Sequence, residues 1–355
     1  MPTDYATRLD DLLENVIKEG ASDLHLSVDR HPTVRISGTL VPMVNQEVLT
    51  EADTEGFLKQ LLTSVNQKEF EENKEIDFSY NFKDKSRFRG NGFYQKGNVG
   101  IVLRLIPKTI RTLGELNLPP ILETFCQKKQ GFFLVVGPVG QGKTTTLASM
   151  IEMINQQRGE HIITIEDPIE YMYEAKRAMI DQREVRLDTK YFHTALVSAL
   201  REDVDVIFVG EMRDFDTISA AVTAAETGHL VFSTLHTNNA AQTIYRIIDS
   251  FPPEQQDQIR VQLAGSLIGI FSQRLIPRVS GGLVPAYELL INNNAVSNLI
   301  REKRTHEINN VIETGSEQGM IDMNRSIAEL VRRGEISIEN AYLHSSNPKT
   351  LERLI

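Results

Sequence analysis

The stretch "GPVGQGKTTT", Gly137 to Thr146, places Gly137, Gly142, Lys143 and Thr144 in the G-x-x-x-x-G-K-[ST] spacing. Glycines let a backbone curl until its N–H groups point inward at phosphate oxygens. A helix starting near Lys143 would add its positive end to the same spot. In that setting Lys143 reaches β- and γ-phosphates and Thr144 ligates Mg²⁺. The expected ligands are therefore ATP and Mg²⁺. The expected nucleotide contacts run from Gly137 through Pro138, Val139, Gly140, Gln141 and Gly142 to Lys143, Thr144 and Thr145. A chance glycine-rich turn would show the same letters. The apolar run "FFLVV" before the loop and the helix-compatible run after it supply the strand–loop–helix context that the chemistry requires.

Hydrolysis needs more than a cradle: a group to position water, and acids to hold the metal. Two acidic strand ends follow the loop. "TIEDPIEY" carries Glu166, Asp167 and Glu170; "VDVIFVGEMRD" ends its apolar run at Gly210 and continues with Glu211 and Arg213. Parallel strands of such folds bring these ends to one edge, beside the loop. Glu211 is expected to orient or deprotonate the attacking water. Gly210 permits a sharp turn, and the longer glutamate side chain leaves room for a water. Glu166 ends its strand directly and is expected to help Thr144 hold Mg²⁺, partly through water. The two roles could be exchanged or shared, because spacing fixes neither distance. A solvated charged turn is the competing reading, weightier for Asp167 and Glu170 than for Glu211. "GHLVFSTLH" holds His229 at the start of a strand and His236 at its end, a spacing that argues against zinc. His236 falls at the loop's edge of the sheet, where it either senses the γ-phosphate or is structural.

The elements that must position these groups are legible in outline. From about residue 130 the strands "GFFLVVG", "EHIITIED", "VDVIFVGE" and "HLVFSTLH" alternate with helical segments, the pattern of a parallel sheet covered by helices. Before it, Leu9, Leu12, Leu13, Val16 and Ile17 recur at helical spacing. Alternating segments then carry turn signals at Pro32 and Gly38, a helical stretch spans 50–72, and hairpin strands have turn candidates at Lys83–Lys85 and Gly97–Asn98. This is an α+β pattern over residues 1–108. Proline-rich residues 109–130 read as a linker, and 131–355 as the α/β unit with a helical tail from about 285. With 355 residues, 41% apolar and 24% charged, the chain is long enough for two cores. Its net charge of −10 disfavours a nucleic-acid partner. The single cysteine, Cys126, cannot form an internal disulfide and reads as a buried small hydrophobe in a reducing compartment. No apolar run reaches membrane-span length, and the acidic amphipathic start is the reverse of a signal peptide, so the expected location is cytoplasmic.

Together, "GPVGQGKTT", "TIEDPIEY", "VIFVGEMRD" and "GHLVFSTLHT" resemble the Walker A, Asp-box, atypical Walker B and His-box blocks of the secretion-ATPase superfamily. "GASDLHLSVDRHPTVRISGTL", "RFRGNGFYQ" and "SQRLIPR" extend the likeness over the whole chain. The short length, the lack of a tetra-cysteine insert and "AVSNLIRE" (Ala295 to Glu302) resemble the PilT-type retraction branch, with Val296 and Ser297 departing from its "AIRNLIRE". Val139 and Gln141 depart from the common "GPTGSGKST". The resemblance implies an α/β fold: a RecA-like P-loop ATPase domain with a parallel-rich sheet, preceded by a smaller α+β (PAS-like) domain. It implies a homohexamer with nucleotide between the domains and Arg87, Arg89 and Arg104 as charge-stabilising fingers. On residue pattern alone these arginines read as a solvated strand face. It also implies an ATP-driven motor of pilus retraction, docked through an inner-membrane platform protein at the cytoplasmic face, with a paralogous retraction ATPase as a further partner. An accessory PilU-like motor, another motor of the superfamily for assembly or secretion, a nucleic-acid motor and a non-hydrolysing ring are the alternatives.

Overall fold

The first helix, α1 (Tyr5–Lys18), buries Leu9, Leu12, Leu13 and Val16, the stripe that three- and four-residue spacing puts on one face. The computed structural model describes residues 4–355 apart from 37, 84, 85 and 108. The chain divides into two units: residues up to Thr109 together with Pro168–Met172, and Ile110–Asp167 together with Tyr173–Ile355.

In the first unit α1 is followed by β1 (Asp23–Ser27), β2 (Thr33–Ile36), β3 (Thr39–Pro42), α2 (Glu51–Leu61), α3 (Ser64–Asn73), β4 (Glu75–Phe82), β5 (Ser86–Gln95) and β6 (Asn98–Ile106). The expected helix over 50–72 is two helices. Thr50 and Asp53 form a capping box at the first, and Thr63 caps the second. Among the described residues the strands form one antiparallel sheet in the order β3-β2-β1-β6-β5-β4. Phe57, Phe82, Phe88, Leu24 and Leu103 lie in its core with the α1 stripe. The β5–β6 turn falls at Lys96 and Gly97, both at positive φ. Of the turn expected at Lys83–Lys85, Asp84 and Lys85 lie outside the described residues.

The second unit runs α4 (Leu122–Cys126), β7 (Gly131–Val136), α5 (Lys143–Gln157), β8 (His161–Glu166), β9 (Met179–Glu184), α6 (Phe192–Ala199), β10 (Val206–Val209), α7 (Phe215–Glu226), β11 (Leu230–Leu235), α8 (Ala240–Asp249), α9 (Gln256–Ser266), β12 (Leu267–Pro277) and β13 (Leu283–Ile291). It closes with α10 (Asn294–Arg301), α11 (Ile308–Thr314), α12 (Met323–Arg332), α13 (Ile338–His344) and α14 (Pro348–Leu354). Its sheet order is β13-β12-β7-β11-β10-β8-β9, parallel throughout except for β13. The central strands are buried on both faces and divide their side chains by the two-residue period of a strand. Phe132, Leu134 and Val136 join Ile207, Val209 and Val231 in the core with α6 to α9. Phe133 and Val135 join Val206, Phe208 and Phe232 in the core with α4 and α5.

Two expectations change here. Residues 283–291, placed at the start of a helical tail, are the edge strand β13, because they pair residue by residue with β12. Leu113, Leu118, Leu122, Phe125 and Cys126, within the expected linker, are buried in the second unit's core. Burial pushes the Cys126 thiol up to about 12, which keeps it a thiol and not a nucleophile.

Candidate active site

Because β7, β8, β10 and β11 are parallel, their carboxyl ends share one edge of the sheet. β7 runs into the glycine-rich loop there. Gly137 has φ 147°, and a Cβ on it would lie 2.4 Å from the Gln273 carbonyl oxygen, so only glycine fits. Gly142, at φ 77°, precedes α5 without any side-chain cap. The amino end of a helix carries the positive end of its dipole, which favours an anion. Val139 stands 80% exposed at the loop's tip.

Lys143 is buried. Its Nζ donates to Gly137 O and Pro138 O, both at 2.8 Å, and to His236 Nδ1 at 3.2 Å. A lysine only donates, so Nδ1 accepts and the imidazole proton sits on Nε2, 3.6 Å from Glu211 Oε2. The other Glu211 oxygen accepts from Arg213 Nη2. Burial draws Lys143 down to about 8, with the Glu211 charge pulling the other way. Lys143 with His236 and Glu211 with Arg213 are thus two bonded pairs, brought within 3.6 Å of each other at the sheet edge.

The neighbouring strands hold Glu211 in place. Ser233 Oγ donates to Val209 O and Thr234 Oγ1 to Gly210 O, each at 2.7 Å. The backbone at Gly210 is not left-handed. Its lack of a side chain matters because a Cβ would come within 3.3 Å of Ile165 O, on β8. Asp214 then caps α7 by accepting from Thr217 N at 2.8 Å.

Sheet order sets how far each acid stands from the loop. His236 follows the strand next to β7, Glu211 the second strand over, and Glu166 the third. At the usual strand spacing β8 lies about 14 Å from β7. Glu166 is buried, accepting from Thr164 Oγ1 at 2.7 Å and from Gln182 Nε2 at 3.4 Å. Asp167 faces Arg186 at 3.9 Å. His229 sits at the amino end of β11, its Nδ1 2.9 Å from Ala224 O, at the opposite end of the sheet from the loop. Glu170, Arg87, Arg89 and Arg104 belong to the first unit. There Arg89 Nη1 donates to Glu170 Oε1 at 2.9 Å, Arg104 Nε to Asp23 Oδ1 at 2.8 Å, and Arg87 Nη1 to Asn81 Oδ1 at 3.2 Å.

The sequence matches the family described as "Type II/IV secretion system protein" over residues 5–347. The chain belongs to that family and, within it, to the PilT-type ATPases. It is 44% identical over 331 residues to the "Type IV pilus retractation ATPase PilT" of Pseudomonas aeruginosa, covering 93% of this chain and 96% of that one. It is 38% identical to the "Type IV pilus ATPase PilU" of the same organism, over 97% of this chain and 90% of that one. The crystal structure of the pilus retraction motor PilT with bound ADP superposes with a TM-score of 0.91 at 46% identity, over 97% of this chain and 98% of that one.

Sequence reading of this secretion-family site missed Gln273. The side chain of Gln273 touches the loop, and the signal was a polar Ser272–Gln273–Arg274 triplet between the apolar stretches Leu267–Phe271 and Leu275–Ile276. A buried amide in such a run needs partners.

Proposed function

We propose that this chain hydrolyses ATP to power type IV pilus retraction, working as a six-membered ring of identical copies. The observation that carries the reading is the row Lys143–His236–Glu211 running from the phosphate loop along the sheet edge. The loop N–H groups and Lys143 hold the β- and γ-phosphates, and Lys143 exchanges its carbonyl partners for phosphate oxygens. Glu211 takes the proton of the attacking water or orients it, with Arg213 fixing one of its oxygens. His236, bonded to Lys143 and 3.6 Å from the other Glu211 oxygen, stands between the phosphate end of the site and the water end.

Among the described residues no three His, Cys, Asp or Glu side chains gather into a cluster that would hold a metal alone. That suits Mg²⁺, which keeps several waters and takes one or two protein oxygens beside the phosphates. Thr144 would hold it directly and Glu166 through water, where it would neutralise charge on the phosphates.

Arg87, Arg89 and Arg104 serve as charge-stabilising groups in the assembled ring. Residues 1–108 act as the moving amino-terminal domain and 131–355 as the ATPase domain. The pivot lies before Leu113, the first residue of the second unit's core. No helix among the described residues is long and apolar enough to cross a membrane. The ring works in the cytoplasm at the inner-membrane face, held by a membrane-embedded platform protein, with a paralogous retraction ATPase as a second partner. The likeness to PilU supports an accessory retraction role as the second reading.

Two measurements test the proposal. Lys143→Ala should remove phosphate release by the purified protein while leaving its thermal midpoint in place; retained turnover would refute the loop assignment. Cells lacking the protein should carry extended pili that do not retract. Bald cells would indicate an assembly motor instead, and normal retraction in the deletion strain would support the accessory role.

A further inference from the structure

We propose that Gln273 is a positioning residue for the phosphate loop, and that Gln141 and Gln273 form a reciprocal latch holding the loop in its phosphate-accepting shape. The inference rests on the reading of Gly137–Thr145 as the ATP phosphate site.

Gln273 lies on β12, the strand that flanks β7 on the side away from β11. It is 3% exposed, and both ends of its amide go to the loop region. Nε2 donates to Gln141 O at 2.7 Å, and Oε1 accepts from Thr146 Oγ1 at 2.7 Å. One side chain therefore grips the loop before and after the Gly142–Lys143 turn. Gln141 answers in the opposite direction, its Oε1 accepting from Leu275 N at 2.7 Å. A serine at 141, as in the common form of the motif, is too short for that bond. The main chain closes in as well: a Cβ on Gly142 would lie 3.0 Å from Gln273 Nε2.

The physical need for a latch follows from the loop's composition. Gly137, Gly140 and Gly142 all sit at positive φ. Such a segment loses much conformational freedom on ordering, and its converging N–H dipoles repel one another. Three bonds to a strand of the sheet would meet that cost in advance of nucleotide, which is preorganisation. A buried glutamine that merely filled the core would not place both ends of its amide on the loop.

Loosening the latch should therefore weaken recognition of the phosphates in particular. The test uses purified full-length protein, with ADP and inorganic pyrophosphate as binding probes and ATP turnover alongside. Gln273→Met keeps the length and removes both bonds; Gln141→Ser removes the return bond from the loop side. Gln273→Met should weaken both probes and raise KM for ATP by about tenfold, with kcat at saturating ATP retained. Gln141→Ser should do the same by about threefold. The double variant should fall short of the product of the two, because the residues share one latch. Unchanged affinity for ADP and pyrophosphate in both variants would overturn the proposal, as would a lowered thermal midpoint without any change in affinity. If Gln273→Met does not fold, Gln141→Ser decides by the same criteria. Failure of the underlying reading looks different: wild-type protein that binds no ADP, or Lys143→Ala with wild-type turnover, removes the loop assignment and the latch with it.

Discussion

Lys143 is the residue on which the site's chemistry turns, and its surroundings give it a pH dependence. Burial lowers it to about 8, so above that pH a growing share of the folded protein carries a neutral lysine. Phosphates favour the charged form, so binding above pH 8 must take up a proton. Affinity for ADP should therefore fall as pH rises from about 7 to 9.5, while Lys143→Arg, charged throughout, should show no such fall. A flat wild-type profile in ADP titrations would mean that Lys143 is charged across the range. The three arginines separate in the same residue-level way. Arg104 holds Asp23, whose burial raises its carboxyl pKa but whose bonds from Ser22 and Arg104 bring it below the ordinary value on balance. Arg104→Ala should therefore cost about 0.5–1 kcal/mol of unfolding free energy, the exposed guanidinium being screened by water, which denaturant melts would detect. That makes Arg89→Ala the cleaner test of a finger: a lower kcat with nucleotide affinity retained, against normal hydrolysis if the role lies elsewhere. Glycine spacing and Lys143 were legible in the sequence because a strand–loop–helix turn with glycines at positive φ is dictated locally. The partners of Arg89 and Arg104 were not, since each lies 81 residues away in the chain.

Elements were legible where a face or period dictates them. The two cores of the parallel sheet follow directly from the central strands' largely apolar runs, and the α1 stripe from its three- and four-residue spacing. The β12–β13 hairpin was missed because its strands carry buried polar residues, Ser272, Gln273 and Glu288, that interrupt the apolar signal. Gln273 finds its loop partner 132 residues away, and no local pattern encodes that. Glu288 shows what such a buried acid does. It lies on β13 and accepts from Ala240 N at 2.7 Å, at the start of α8. Burial raises its carboxyl to about 7 against the pull of that bond, with Asp322 pushing the same way and Arg274 opposing. The unfolded chain releases this proton near the ordinary value and the fold only near 7. Native protein therefore holds the extra proton in between, and stability falls as pH rises through that window. Glu288→Gln keeps an acceptor for Ala240 N and carries no charge. Its melting temperature should exceed the wild type's at about pH 8, and the gap should close towards about pH 5. An equal gap at both pH values would show that Glu288 holds no extra proton in that window.

In the proposed ring the sites of neighbouring copies have to act together. The change from hairpin strands to alternating strands and helices made the α+β start and the α/β remainder readable, because layer architecture follows the order of elements. Nothing in a single chain's pattern says how copies communicate. The site nevertheless constrains it: Lys143, His236 and Glu211 all come from one chain, so with the proposed roles each copy would carry its own phosphate and water-positioning groups. If copies fired independently, rings mixed from wild-type and Lys143→Ala chains would lose turnover in proportion to the variant share. A motor that converts ATP binding into domain swings has to pass strain from copy to copy, because binding energy does work only where the open and closed states differ in contacts with nucleotide. One copy that cannot close then stalls its neighbours. Turnover in mixed rings should therefore fall more steeply than the wild-type share, measured by phosphate release across a series of mixing ratios. Glu211→Gln, which should bind ATP and hydrolyse it slowly, is expected to poison mixed rings more severely still by holding its copy closed. Proportional loss with both variants would mean that each copy hydrolyses on its own and that retraction is driven by something other than concerted or sequential closure around the ring.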